Sequence, residues 1–249
     1  MLIQPLLDKL TQLRLPAIRS GLEEQLQNPH YAELSFEDRL GLLVDLECTR
    51  RADNSLRCRI KTARFTLPAV IEDLDLSPAR GLDRGLILEL AQNEWVRRHL
   101  NILALGPTGA GKTYLACALG HAACRQGFSV RYQRTSRLLH EIMLSHADGS
   151  YPKLLTTLAR VQLLIFDDWL RDPLTPPQAR DLLEILDDRY GRSSTLVATQ
   201  IPIEDWHDRL PDPTLGDAIL DRLVHNAYRL QLKGESMRKT YSPLHMPPS

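Results

Sequence analysis

The chain has 249 residues, with 31 basic against 31 acidic side chains, 43% hydrophobic and 25% charged residues. That composition is ordinary for a soluble globular protein, the length suits one large domain or one domain with a small appendage, and a net charge of zero excludes a uniformly basic nucleic-acid binder. No run of about 18 apolar residues spans a membrane, the start MLIQPLLDKL lacks the layout of a signal peptide, and Cys48, Cys58, Cys117 and Cys124 form neither a C-x-x-C pair nor a zinc spacing, so a cytoplasmic protein is expected, with Cys117 and Cys124, seven apart on one helix, as buried thiols.

Residues 1–66 read as a small all-α N-terminal domain. Leu2, Leu6, Leu10 and Leu13 recur at helical spacing until Pro16, and Ile18, Leu22 and Leu26 continue the pattern. Ser35, with Asp38 three residues on, opens a third helix, whose apolar stripe runs from Phe36 through Leu46 to Leu56 and Ile60. This helix carries a local excess that the zero net charge hides. Arg50, Arg51, Arg57, Arg59, Lys61 and Arg64 face only Asp53 over fifteen positions. They are candidate contacts to duplex DNA, of the kind that grip phosphates without reading bases. Three helices of this length make a thin core.

Residues 67–98 read as a linker, punctuated by Pro68, Pro78 and Gly81 and followed by an amphipathic segment from Gly85 to His99. From residue 99 onward strands and helices alternate. Strands are expected at Ile102–Leu105, Ser129–Gln133, Val161–Phe166, Thr195–Thr199 and Ala227–Leu232. The helices between them run to Arg125, from Thr135 to Ser145, from Tyr151 to Arg160, from Thr175 onward and from Leu215 to His225. Thr175-Pro176-Pro177-Gln178 is a strong helix start, with a Thr cap, Pro in the first turn and Gln at the third position. Alternation of this kind predicts an α/β domain: a parallel five-stranded sheet with helices on both faces.

The chemistry sits at three strand ends. GPTGAGKT, residues 106–113, follows the first strand and opens a helix, the setting of a phosphate-binding loop. Gly106, Gly109 and Gly111 permit backbone turns that aim successive N–H groups into one hollow at a helix N-terminus. Pro107, Thr108, Ala110 and Tyr114 are the other loop residues expected to wrap the phosphates. Lys112 is expected to reach the β- and γ-phosphates of a nucleoside triphosphate, and the Thr113 hydroxyl to bind Mg²⁺. The strand in QLLIFDD delivers Asp167, expected to hold Mg²⁺, and Asp168, expected to orient or deprotonate the attacking water. TLVATQ ends with Thr199 and Gln200, either of which could touch the γ-phosphate.

GPTGAGKT, LLIFDD, VATQ, DPTLGDAILDRLVHNAYRL and LKGESMRK together resemble the IstB-type transposition helper ATPases of bacterial insertion sequences, in the initiator group of AAA+ ATPases with DnaA and DnaC as relatives. The likeness covers nearly the whole chain, and the last two stretches are the most specific. It implies an AAA+ P-loop fold, ATP and Mg²⁺ as nucleotide and cofactor, and an ATP-dependent homo-oligomer that acts on duplex DNA with a cognate transposase. It implies that Arg222 is an arginine finger acting in trans, that Gln200 or Thr199 is the first sensor, and that Arg238 is the second. The helices between Thr135 and Arg160 match the extra helix pair of the initiator group, which makes Lys153 a DNA contact. Asp168 stands where most AAA+ members have Glu and the initiator relatives share Asp. No extended helical lid is expected after residue 240.

The expected function is an ATP-dependent, DNA-stimulated ATPase that assembles on and remodels target DNA for a transposase.

 The alternative is a DnaC-like replicative helicase loader, which shares the ATPase site and differs in its partner. A small-molecule kinase would need a substrate pocket and a lid that the motifs do not supply.

Overall fold

The computed structural model describes residues 3–237. The chain divides into two compact units, residues 1–58 and 59–249, and the division falls inside one long helix.

The first unit holds α1 (Gln4–Gln12), α2 (Pro16–Gln27) and most of α3 (Phe36–Ala63). Proline starts α1 and α2 in the first turn, where its missing N–H is not needed. Ser35 caps α3 as its spacing predicts: the Asp38 N–H donates to Ser35 Oγ (3.1 Å), and Ser35 Oγ donates to Asp38 Oδ2 (2.8 Å). Gly21 lets α2 approach α3 closely, because a Cβ there would lie 2.7 Å from a Leu43 methyl. Glu47 is buried and accepts from the Ala17 N–H (2.9 Å) and from Arg51 Nε (3.0 Å). Among the described residues of this unit the buried apolar side chains are Leu7 and Leu43, a thin core.

The second unit is a parallel five-stranded sheet with flanking helices. Its elements are α4 (Arg84–Ala91), α5 (Glu94–Arg97), β1 (Asn101–Leu105), α6 (Lys112–Arg125), β2 (Val130–Arg134), α7 (Thr135–Asp148), α8 (Tyr151–Arg160), β3 (Leu163–Asp167), α9 (Pro176–Arg189), β4 (Ser194–Thr199), α10 (Pro213–Val224) and β5 (Ala227–Gln231). The strand order is β2-β3-β4-β1-β5, every pair parallel. Each residue of β1, β3 and β4 is buried, which is why these strands read as continuous apolar runs rather than alternating ones. The cap on α9 forms as Thr175 and Gln178 predict. The buried Arg189 guanidinium donates to the carbonyls of Leu158, Val161 and Ser194, tying the ends of α8, α9 and β4 together.

The amphipathic segment Gly85–His99 forms two short helices, broken where Asn93 takes a left-handed conformation (φ 57°) that Asn tolerates better than most residues. Residues 67–98, read as a linker, bury Ala69, Ile87, Leu90, Trp95 and Val96. No helix among the described residues is long and apolar enough to cross a membrane.

Candidate nucleotide site

The strand order decides which side chains meet. β4 lies between β3 and β1, so the C-terminal ends of all three open on the same edge of the sheet, where ligands sit in folds of this kind. The phosphate loop joins β1 to α6. Its glycines are needed for contact as well as for conformation: at Gly106 a Cβ would lie 2.5 Å from the Leu232 carbonyl oxygen. Lys112 Nζ donates to the carbonyls of Gly106 (2.8 Å) and Pro107 (2.9 Å).

A cavity of about 560 Å³ runs along the loop, within the range of small-molecule sites. Thr108, Gly109, Ala110, Gly111, Lys112, Thr113 and Tyr114 line one side, and Asp168, Trp169, Arg171 and Gln200 line another.

Asp167 is almost fully buried at the end of β3. Its Oδ2 accepts from the Thr113 hydroxyl (2.9 Å) and from the Tyr132 phenol (2.6 Å), and its Oδ1 accepts from the Asp168 N–H (3.0 Å). Burial, followed by the adjacent Asp167 carboxylate, pushes the Tyr132 phenol far above its usual range, so it stays a donor. Thr135 Oγ1 donates to the Asp167 carbonyl (3.1 Å). Among the described residues no group of three His, Cys, Asp or Glu gathers to hold a metal ion by itself. Thr113 and Asp167 instead offer two oxygens side by side, the partial set that Mg²⁺ takes when phosphates and water complete its octahedron.

Asp168 has a left-handed backbone (φ 55°), is partly exposed to the cavity, and lies 3.9 Å from Arg171 Nη1. The two sensor candidates separate. Thr199 is fully buried; its hydroxyl donates to the Trp169 carbonyl (2.7 Å) and accepts from the Ile201 N–H (3.0 Å). Gln200 lines the cavity, and its Oε1 accepts from the Thr108 hydroxyl.

The remaining candidates lie outside this cavity. Arg222, on α10, is partly exposed and pairs with Asp187. Arg238 lies outside the described residues. Lys153 is exposed on α8. Of the six basic residues on and just after α3, Arg50 and Arg51 pair with Glu47, and Arg59 Nε donates to the Cys124 carbonyl (2.9 Å). Arg57, Lys61 and Arg64 are exposed.

Sequence reasoning passed over Tyr132 and Arg171. Tyr132 alternates with Val130 on β2, which signals an inward side chain, but nothing local pairs it with a carboxylate 35 positions away. Arg171 follows the acidic pair by three residues, and the turn after β3 brings it back to Asp168.

Known proteins place this geometry in a family. The pattern described as IstB-like ATP binding protein matches residues 8–243. An insertion sequence ATP-binding protein of Sinorhizobium fredii is 47% identical over 239 residues, covering 96% of this chain and 98% of the relative. The insertion sequence IS1162 ATP-binding protein of Pseudomonas fluorescens is 47% identical over 203 residues, covering 81% and 88%. Among solved structures, AMPPCP-bound DnaA from Aquifex aeolicus superposes with a TM-score of 0.58 at 17% identity, covering 70% of this chain and 53% of that one. The DnaC helicase loader superposes with a TM-score of 0.53 at 21% identity, covering 59% and 86%. The structural likenesses establish the AAA+ fold, and the match over residues 8–243 establishes that the chain belongs to the IstB-like ATP binding protein family.

Proposed function

We propose that this chain is an ATP-dependent helper of transposition, which binds and hydrolyses ATP, assembles as an oligomer on duplex DNA and serves a cognate transposase. The nucleotide part rests on one observation: the phosphate loop, Lys112, Thr113, Asp168 and Gln200 line a single cavity, with Asp167 bonded to Thr113.

Lys112 exchanges its loop carbonyls for the β- and γ-phosphates. Thr113 and Asp167 would hold Mg²⁺, which when bound would offset charge on those phosphates. Asp168 orients the attacking water and accepts its proton. Gln200 contacts the γ-phosphate or that water; Thr199, its hydroxyl spent on backbone, holds the end of β4 in place. Arg222 does not line its own subunit's cavity and is partly exposed, which suits a residue that completes a neighbour's site after leaving Asp187. ATP then favours assembly, because each site needs two subunits.

The DNA part is supported by the exposed Arg57, Lys61 and Arg64. Each is a weak phosphate contact alone, and repetition through an oligomer multiplies it. The relatives described as insertion sequence ATP-binding proteins support a transposase as partner over a helicase.

The test is phosphate release from ATP in the absence of any acceptor, with and without duplex DNA. Wild-type protein should hydrolyse ATP and respond to DNA. Lys112→Ala should bind no ATP, and Asp168→Asn should bind it without turnover. Wild-type turnover in Asp168→Asn would remove the base assignment, and turnover only with a small-molecule acceptor would point to a kinase.

A further inference from the structure

We propose that Arg80 is a positioning residue for the nucleotide: it bolts the segment after β5 across the phosphate loop and thereby sets the affinity of the cavity for ATP. The inference rests on the ATP reading above and adds a determinant that lies in none of the nucleotide motifs.

Arg80 ends a short 3₁₀ turn, Pro78–Arg80, in the stretch between α3 and α4. Its side chain is 12% exposed. Nε donates to Asp75 Oδ2 (2.8 Å), Nη1 donates to the Glu235 carbonyl (2.8 Å), and Nη2 contacts Met237 Sδ. The Arg80 carbonyl accepts from the Lys233 N–H (2.8 Å). One residue thus holds positions 233, 235 and 237 of the outgoing chain.

The other side of that chain rests on the phosphate loop. The Met237 N–H donates to the Gly109 carbonyl (2.9 Å), and Ser236 packs so closely on Gly109 that a Cβ there would lie 2.2 Å from Ser236 Oγ. Segment 233–237 is therefore strung between Arg80 and the loop that wraps the phosphates. Arg80 and Asp75 also line the cavity, and Leu74, Leu82, Leu232 and Met237 give this end an apolar surface suited to a purine face.

The bolt is well made. The neighbouring Arg80 guanidinium, followed by Ser77, lowers the Asp75 carboxyl to about 2, so the pair stays charged in any ordinary buffer. Gly234 is required for the chain to pass: it has φ 90°, and a Cβ would lie 3.1 Å from both the Ala79 carbonyl oxygen and Arg80 Nη1. None of the groups that Arg80 bonds is assigned to the metal or the attacking water. Loosening it should therefore cost binding and spare the chemical step.

The experiment measures ATP affinity, by titration with a fluorescent ATP analogue, and steady-state kcat and KM, on the full chain and on Arg80→Ala, Arg80→Lys and Gly234→Ala. Arg80→Ala loses charge-assisted bonds, so Kd and KM should rise by about ten- to a hundredfold, with kcat at saturation within about twofold of wild type. Arg80→Lys keeps the charge but not the fork, and should fall between. Gly234→Ala should shift in the same direction as Arg80→Ala. If Arg80→Ala melts below the assay temperature, Arg80→Lys and Gly234→Ala carry the same test. Unchanged affinity in the folded variants overturns the proposal, as does a loss of kcat at unchanged KM. Failure of the wild-type chain to bind ATP is a separate result, seen without any variant; it removes the ATP reading and this inference with it.

Discussion

Tyr132→Phe isolates one bond behind the proposed metal site. The Tyr132 ring is 4% exposed, and its hydroxyl donates at 2.6 Å to Asp167 Oδ2, the oxygen that also accepts from Thr113. Phenylalanine keeps the ring and its packing and removes a single oxygen atom. A hydrogen bond to a charged group contributes about 1.5–3 kcal/mol. For a chain of this size each kcal/mol is worth roughly 2–4 °C, so the melting temperature should drop by about 3–12 °C. A bond that orients a metal ligand has a second signature: loss of such a partner typically weakens metal affinity about ten- to a hundredfold. The Mg²⁺ concentration for half-maximal ATP hydrolysis should rise by that factor, with turnover at saturating Mg²⁺ largely kept. Thermal melts and a Mg²⁺ titration of phosphate release measure both. A lower melting temperature with an unchanged Mg²⁺ curve would reduce Tyr132 to a packing residue, and no change in either would refute the argument.

Arg222→Ala subunits should bind ATP yet hydrolyse it poorly, and mixing them with Asp168→Asn subunits should restore part of the activity; no recovery at any ratio counts against a site shared between subunits. Replacing Arg57 and Lys61 with Glu should weaken duplex DNA binding for all sequences alike and lower its salt dependence by a slope of about 0.9 per lost phosphate contact. Normal binding by that variant across a salt titration would move the DNA elsewhere, with Lys153 the next residue to test. Burial, then the charge of Arg125, lowers the His121 pKa below 6.5, with Glu72 opposing. The unfolded chain therefore takes up this proton first: stability is full above about pH 6.5 and is lost as pH falls from there through the lower folded value. His121→Gln should flatten that part of the melting-temperature profile, and an unaltered slope would rule the residue out as its source.

What the chain determines locally was legible in its residues. The phosphate loop is contiguous, and its glycines, lysine and threonine announce their chemistry because one strand, one turn and one helix suffice to arrange them. The strands showed as apolar runs because a parallel sheet covered on both faces buries every position of β1, β3 and β4. The caps at Ser35 and Thr175 close within three residues. Tertiary structure decided what depends on distant partners. Tyr132 reaches Asp167 because β2 pairs with β3 in a register that sets Arg134 opposite Asp167. Thr199 and Gln200 are equivalent in sequence, yet one hydroxyl turns inward to the Trp169 carbonyl while the neighbouring amide faces the cavity, since β4 ends at Thr199 and Gln200 lies in the bend that follows it. Arg80 sits among residues whose composition suggests a connector, and beyond its local bond to Asp75 it acquires the Glu235 carbonyl as partner only when the chain returns 155 positions later. Propensity, capping and loop chemistry are written in neighbouring residues, whereas the orientation of a side chain belongs to the packing that surrounds it.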